Sequence, residues 1–339
     1  MPAMEWNAVM RFCGFRQSLA GLAAALVLLG WGGGAGAQVI LDQFARPVAW
    51  QLALEKACFS PGLIDGKPGA KTELATREYQ KSFGLPVTGT LDDATTDSLG
   101  LTAISSFGQY TVEAQDIADL MPESHDWLEK SKRLKMGYFS QLDALAEKFH
   151  TSKGFLGALN SGVAWESLKG GEVLVVPFLQ EPTRPAARAL RVNLDQKVIY
   201  LLDEHGKVVG LFHCSIAAKF EKRPSGEGRV EVVAPNPNYT WDPAYWPEVK
   251  GIEQKLLIPP GPRNPVGLFW VGLNLPGYGM HGTPTPEMIG KSGSHGCFRL
   301  TNWDAMRLGK IAKVGMKVEF VNSGRPTTSN GVPASAGRR

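Results

Sequence analysis

The sequence is poor in several features that would assign a function class at once. It contains no run of lysine and arginine of the kind that marks a nucleic-acid surface. It contains no apolar stretch of the roughly twenty residues that a membrane helix needs. Its charge is nearly balanced, with 36 basic and 32 acidic side chains and a formal net charge of +4. That mild excess suits an anionic polymer as a neighbour, and equally an ordinary solvated surface. Cysteine is scarce: Cys13, Cys58, Cys214 and Cys297 are all there is.

What the chain does have begins at its N-terminus. Arg11 and Arg16 precede an apolar stretch from Leu19 to Gly30, and small residues lead to Ala35-Gly36-Ala37 ahead of Gln38. This is the pattern of a secretory signal peptide over residues 1–37. It predicts an exported protein, in the periplasm or cell wall, with no stable membrane span after cleavage; an uncleaved anchor is the alternative. No cysteine follows the small residues, so lipid modification there is not expected. Cys13 leaves with the leader, and of the three cysteines that remain at least one is unpaired or pairs with another molecule. Cys58 and Cys214 sit in apolar patterns and read as small buried hydrophobes; a bridge between them is the other option.

With 339 residues, two or three compact units are expected. Residues 38–105 read as a small helical unit. Trp50, Leu52, Leu54 and Ala57 mark one amphipathic helix. Asp65-Gly66-Lys67-Pro68-Gly69 supplies a turn, Thr72 caps a second helix carrying Leu74, Ala75, Tyr79 and Phe83, and Thr88-Gly89-Thr90-Leu91-Asp92 opens a third. Residues 106–180 show a strand at Tyr110–Val112, helices around Leu142–Phe149 and Phe155–Leu159, Asn160, and a strand at Val173–Pro177. About two dozen residues separate that first strand from the first helix. Residues 181–188 read as a linker. From 189 to 322 the pattern is mainly β, with turns at Asp195-Gln196 and Glu204–Lys207, a helix from Trp303 to Ala312 and a last strand at Lys317–Val321. Residues 323–339 are polar and rich in small residues, a composition expected of a disordered tail. Residues 38–180 carry apolar patterns of their own and are expected to fold without the rest.

Chemistry concentrates in "MHGTPTPEMIGKSGSHGCFRL", which places His281, His295 and Cys297 in one glycine-rich segment. A thiol attacks a carbonyl as thiolate, and an imidazole can stabilise that thiolate and return a proton to the leaving group. Three readings fit these residues alone: a zinc site, polar residues that merely shape a loop, or a cysteine-dependent acyl transferase.

The segment resembles the active-site signature of the L,D-transpeptidase (YkuD) catalytic domain. His281-Gly282-Thr283 is followed, after a spacer, by Ser294-His295-Gly296-Cys297-Phe298-Arg299-Leu300. "RVNLDQKVIYLLDEHGKVV", Arg223-Pro224-Ser225-Gly226 and "IPPGPRNPVG" extend the resemblance through the third unit. The stretch "LALEKACFSPGLIDGKPGAKTELATREYQKSFGLPVTGTLDDAT" is similar to the peptidoglycan-binding domain family, and residues 106–180 resemble a LysM-like module. The fold implied is a YkuD-like β-sandwich or barrel with one helix, behind a three-helix domain and a small α+β module.

The resemblance makes Cys297 the nucleophile and His281 its acid–base partner. His295 is a further catalytic candidate whose side chain more simply supports the loop. The Gly282 or Thr283 backbone is the candidate for orienting the His281 ring, and the backbone amides of His295, Gly296 and Cys297 are the candidates for holding the oxyanion, a role worth about 3 kcal/mol per donor. Thr283, Ser294 and Arg299 are candidate substrate contacts, with Ser294 also suited to shaping the turn and Arg299 to a structural ion pair. The activity implied is attack on a tetrapeptide stem, release of D-alanine and transfer to an amine, giving 3→3 cross-links, with no metal and no organic cofactor. Hydrolysis of the thioester (an L,D-carboxypeptidase), attachment of an envelope protein, and a non-catalytic wall-binding role are the rival readings. The expected partners are peptidoglycan stem peptides and glycan strands, and no nucleic acid.

Overall fold

The computed structural model describes residues 35–118, 120–294 and 296–322. The expected leader falls outside them apart from Ala35–Ala37, as do His295 and the tail from 323. Among the described residues no helix is long and apolar enough to cross a membrane.

The first unit is built from α1 (Ala35–Lys56), α2 (Ala70–Phe83) and α3 (Asp93–Ser98). Asp92 caps α3 by accepting from the Thr95 amide, which is how the Thr88–Asp92 turn launches a helix. Thr72 does not cap α2. The cap position is Gly69, and Thr72 lies inside the helix, buried, with its hydroxyl donating to the Pro61 carbonyl at 3.3 Å. The side chain pins the preceding loop to the helix instead of satisfying a helix end.

The second unit pairs β1 (Phe107–Thr111) antiparallel with β2 (Val173–Pro177). Between them run α4 (Ala114–Ala118), α5 (Trp127–Ser131), α6 (Gln141–Lys148) and α7 (Lys153–Leu159). Leu145, Phe149, Leu156, Leu174 and Val176 form its core. Asn160 ties the end of α7 to β2 by exchanging two hydrogen bonds with the Val175 backbone, each 2.8 Å. The residues separating β1 from α6, which the sequence shows only as an insertion, carry α4 and α5 and reach the third unit.

The third unit is one curled sheet. Its strands are β3 (Ala189–Asn193), β4 (Val198–Leu202), β5 (Val208–His213), β6 (Gly226–Pro235), β9 (Phe269–Leu273), β10 (Gly279–His281), β11 (Phe298–Arg299) and β12 (Lys317–Val321). A separate pair, β7 (Tyr239–Trp241) with β8 (Leu256–Ile258), stands outside it. The order across the sheet is β11-β10-β9-β6-β12-β3-β4-β5. The ten-residue β6 joins the two halves: its first part pairs with β12 and its second with β9, with a register shift between Val230 and Val232. Such an irregularity bends a strand and raises its twist. The two ends of the sheet meet past β5, where Ser215 and Arg299 exchange backbone hydrogen bonds of 2.8 and 3.0 Å. The interior is filled by residues of all eight strands and by α8 (Asn302–Ile311), through Ala305, Leu308 and Ile311.

The first unit does not close its apolar surface on itself. Leu54, Phe59, Ala75 and Tyr79 share one core with Val198, Tyr200, Leu202 and Leu211 of β4 and β5. Phe59 bridges Leu211, and the Leu211 amide donates to the Cys58 carbonyl at 3.0 Å. The free edge of β5, an invitation to mispairing if exposed, is thus covered. Backbones touch there: a Cβ on Gly210 would lie 2.7 Å from the Cys58 carbonyl oxygen. The expected linker is also held, since the Thr183 amide donates to Lys56 O at 2.8 Å.

Candidate active site

Cys297 lies one residue ahead of β11, and His281 ends β10. The two strands are parallel, with Met280 opposite Phe298 and His281 opposite Arg299. Met280 and Phe298 point into the core. Side chains alternate along a strand, so Gly279 and His281 on one side, and Cys297 and Arg299 on the other, share the opposite face. The short β10–β11 pair therefore brings thiol and imidazole to one surface from positions sixteen residues apart.

His281 is buried, and its Nδ1 makes a 2.6 Å hydrogen bond to the Gly282 carbonyl. That bond puts the proton on Nδ1 and leaves Nε2 as the basic nitrogen. The ring stacks on Trp270 with centroids 5.5 Å apart and an interplanar angle of 20°. Burial lowers the imidazole pKa to about 4, against the favourable pull of the Gly282 carbonyl and with the aid of the Arg299 charge. Burial likewise pushes the Cys297 thiol up to about 11, outweighing the Gly279 backbone and the charge of Arg299. Both shifts favour the uncharged forms, a thiol and a neutral imidazole. The thiol donates to the Gly277 carbonyl at 3.3 Å.

The other sequence-predicted residues sort by their hydrogen bonds. Ser294 Oγ donates to the Cys297 carbonyl at 2.5 Å and receives the Gly296 amide at 3.3 Å, so it shapes the turn that presents the cysteine. Gly282 spends its N–H on the Phe269 carbonyl, at 3.2 Å, and serves His281 through its own carbonyl; it is not an oxyanion donor. Thr283 is buried and its hydroxyl receives the Thr285 amide at 3.3 Å, which makes it part of the turn and not a surface for substrate. Arg299 reaches the Gly293 carbonyl and holds the same loop, with no carboxylate facing it as an ion-pair partner among the described residues. Its buried Nε has no hydrogen-bond partner among them. Cys58 and Cys214 are buried and free, each with its thiol pushed up to about 12 by burial, so no bridge joins them.

Several residues around the site escaped the sequence reading. Tyr278 and Tyr239 both lie close enough for a Cys297 thiolate to oppose their ionisation, after burial has already done so. Tyr278 comes from the turn between β9 and β10, and its hydroxyl donates to Lys222 O at 2.8 Å. Tyr239 comes from the β7–β8 hairpin, which therefore stands beside the thiol. Trp127 of α5 holds that hairpin from the second unit: its ring stacks on Trp241 at 5.4 Å and meets Trp246 at 5.4 Å. The richness of residues 239–258 in Trp and Tyr was the available signal, but nothing in the sequence says what those rings pack against.

A thiol and an Nδ1-protonated imidazole thus share one face of a curled sheet. Residues 187–320 match the family model described as "L,D-transpeptidase catalytic domain" (YkuD), and residues 47–99 match the "Putative peptidoglycan binding domain" model. Residues 106–180 lie outside both. The chain is 25% identical over 179 residues to "Putative L,D-transpeptidase YkuD" of Bacillus licheniformis, covering 53% of this chain and 92% of that one. It is 32% identical over 124 residues to "Putative L,D-transpeptidase YqjB" of Bacillus subtilis, 35% of this chain and 63% of that one. To "Probable L,D-transpeptidase YbiS" of Escherichia coli K12 it is 26% identical over 189 residues, 55% of this chain and 61% of the relative. Among solved structures, the L,D-transpeptidase (residues 123–326) of Xylanimonas cellulosilytica aligns at a TM-score of 0.33 and 14% identity, covering 81% of this chain and 92% of that one. Residues 187–320 form an L,D-transpeptidase catalytic domain, and residues 47–99 a domain of the peptidoglycan-binding family.

Proposed function

We propose that this protein is an exported, cysteine-dependent L,D-transpeptidase of the bacterial cell wall. The observation that carries the reading is the placement of Cys297 and His281 on one face of the β10–β11 pair, with Nδ1 committed to Gly282 O and Nε2 left to act. Cys297 Sγ attacks the carbonyl joining the diamino acid to the terminal D-alanine of a tetrapeptide stem. The thiol proton passes to His281 Nε2 as the S–C bond forms. The C–N bond breaks, the proton returns to the departing D-alanine amine, and a thioester remains. The side-chain amine of a second stem then attacks, gives its proton to His281, and expels the Cys297 sulfur, which takes that proton back, leaving a 3→3 cross-link. A neutral imidazole is the form able to take the first proton, and burial keeps His281 neutral. The Ser294 amide is given to Ile216 O and the Gly296 amide to Ser294 Oγ, so among the described residues of that turn the Cys297 amide is the donor suited to the oxyanion, and no step calls for a metal or an organic cofactor.

The first unit directs the enzyme to peptidoglycan. The second is a LysM-like module, a reading supported by its two-stranded antiparallel sheet packed under α6 and α7. Its affinity for glycan strands would add to that of the first unit through effective concentration.

The test is single-turnover release of D-alanine from a defined tetrapeptide muropeptide, with product analysis in the presence of acceptor. Cys297→Ala is expected to abolish release while circular dichroism stays unchanged. Normal release by the folded variant sinks the reading, and release without cross-linked product moves it to a carboxypeptidase.

A further inference from the structure

The second unit is joined to the catalytic domain by a buried polar network. Arg263, 3% exposed, pairs with Asp143 at 2.7 Å and with Glu147 at 2.7 Å, both on α6. The other oxygen of Glu147 receives the Tyr138 hydroxyl at 3.1 Å and the Asn302 side-chain amide at 2.9 Å. Asn302 is wholly buried at the start of α8, and its Oδ1 receives the Leu268 amide at 3.1 Å. That same oxygen is packed against Gly282 and Gly267 so closely that a Cβ at either would overlap it. Gly282 in turn carries the carbonyl that holds His281 Nδ1. A continuous path of contacts thus runs from α6 of the second unit to the imidazole.

We propose that Glu147 is a positioning residue for His281, acting through Asn302 and Gly282, so that the second unit completes the acyl-transfer site and is not only a wall-binding attachment. The inference rests on the reading of Cys297 and His281 as the reacting pair. Asn302 has two donor hydrogens and one acceptor oxygen. With Oδ1 given to Leu268, the amide must find acceptors, and Glu147 and the Pro262 carbonyl, at 3.1 Å, supply them. Removing the Glu147 acceptor leaves a buried N–H unpaired or turns the amide, and either outcome shifts the group on which Gly282 rests.

The test uses the full chain with Glu147→Gln, Asn302→Asp and the two combined. In Glu147→Gln the new side chain gives its oxygen to Arg263 and sets its NH2 against the NH2 of Asn302. In the pair, the carboxyl at position 302, protonated in its buried setting, accepts from the Gln NH2 and donates to the Pro262 carbonyl. Two rates are read: D-alanine release, and alkylation of Cys297 by iodoacetamide across pH, with circular dichroism and thermal melting as folding controls. Glu147→Gln is expected to lower kcat about tenfold at unchanged KM. It is expected to slow alkylation several-fold at pH 7 but not at pH 11, where the thiol ionises without a base. A merely structural loosening would speed alkylation at every pH by exposing the thiol. The pair is expected to recover most of both rates. A folded Glu147→Gln with the parent kcat and alkylation profile overturns the proposal, as does a folded pair no better than the single variants. Should Glu147→Gln fail to fold, the pair decides by the same profile. If the parent protein releases no D-alanine while the alkylation pattern holds, the transpeptidase reading fails and the positioning role stands.

Discussion

The hydroxyl of Ser60 donates to Asp304 Oδ2 at 2.8 Å, joining the loop after α1 to the buried face of α8. Around this bond lies a charged cluster at the meeting of all three units. Arg307 bonds Glu55 at 2.5 Å, and His150 bonds the same carboxylate while stacking on Trp303 at 4.8 Å. Burial alone would raise the Glu55 pKa, but Arg307 and His150 hold it down to about 2. Asp304, with one oxygen lacking a hydrogen-bond partner among the described residues, is pushed up to about 6 by burial in spite of Arg307.

These opposite shifts give opposite pH dependences. Asp304 keeps its proton in the folded protein between pH 4 and 6, where the unfolded chain has already lost it. Its contribution to stability therefore falls as pH rises through that window, by on the order of 3 kcal/mol. Glu55 contributes stability above about pH 4.5 that is lost as pH falls toward 2. Asp304→Asn is expected to flatten the pH 4–6 slope and leave the acid limb. Urea midpoints at pH 4, 5, 6 and 7 read this directly; an unchanged slope in the variant would contradict it.

Cysteine labelling separates Cys297 from its two companions. Cys58 and Cys214 are 1% and 0% exposed, whereas the Cys297 side of the site is open to solvent in part. In the folded protein a maleimide is expected to label Cys297 alone, at a rate that climbs with pH toward 11 without the flat acid plateau of a thiolate–imidazolium pair. Peptide mapping after brief labelling checks the site, and a plateau below pH 6 would overturn the neutral-pair description. His281→Ala is expected to cut D-alanine release at pH 7 by a hundredfold or more, in the range general-base removal usually gives.

Trp127→Ala tests the reach of the second unit toward the β7–β8 hairpin. Trp127 is one of four stacked or tilted rings there, with Tyr239, Trp241 and Trp246, and Lys130 lies over it at 4.4 Å. The substitution is expected to speed proteolytic cleavage between residues 242 and 255 several-fold while moving the global melting point by only a few degrees. Donor KM is expected to rise, because Tyr239 beside the thiol loses its support. Unchanged cleavage kinetics would show that the hairpin stands without Trp127.

How much of this was legible in the sequence depends on the separation of the partners. The proximity of Cys297 and His281 was legible because one glycine-rich stretch, residues 281–297, holds both members. The β3–β4–β5 meander was legible because each strand pairs with the next across a short turn. Thr72 misled because a threonine ahead of an apolar run satisfies the capping pattern whether or not the helix starts two residues sooner. The Glu147–Asn302 bond spans 155 positions, and neither residue is unusual in its local surroundings. Its information lies in the approach of α6 to the first residue of α8, which no periodicity encodes. The same holds for the insertion before α6: its length was visible, but its destination was not.

The backbone contact between Gly210 and Cys58 bears on how freely such a chain can be reassembled. A helical unit joined only through side chains could be traded for another of the same family, as an adaptor is swapped on a fitting. Here β5 accepts the loop after α1 at main-chain distance, and Cys58 itself takes a left-handed conformation with φ 67° to make the approach. The first unit and the sheet have therefore been cut to one another. A chimera carrying a foreign helical unit would need its loop backbone matched as well as its apolar face, and the natural exchangeable block is the first unit together with β4 and β5.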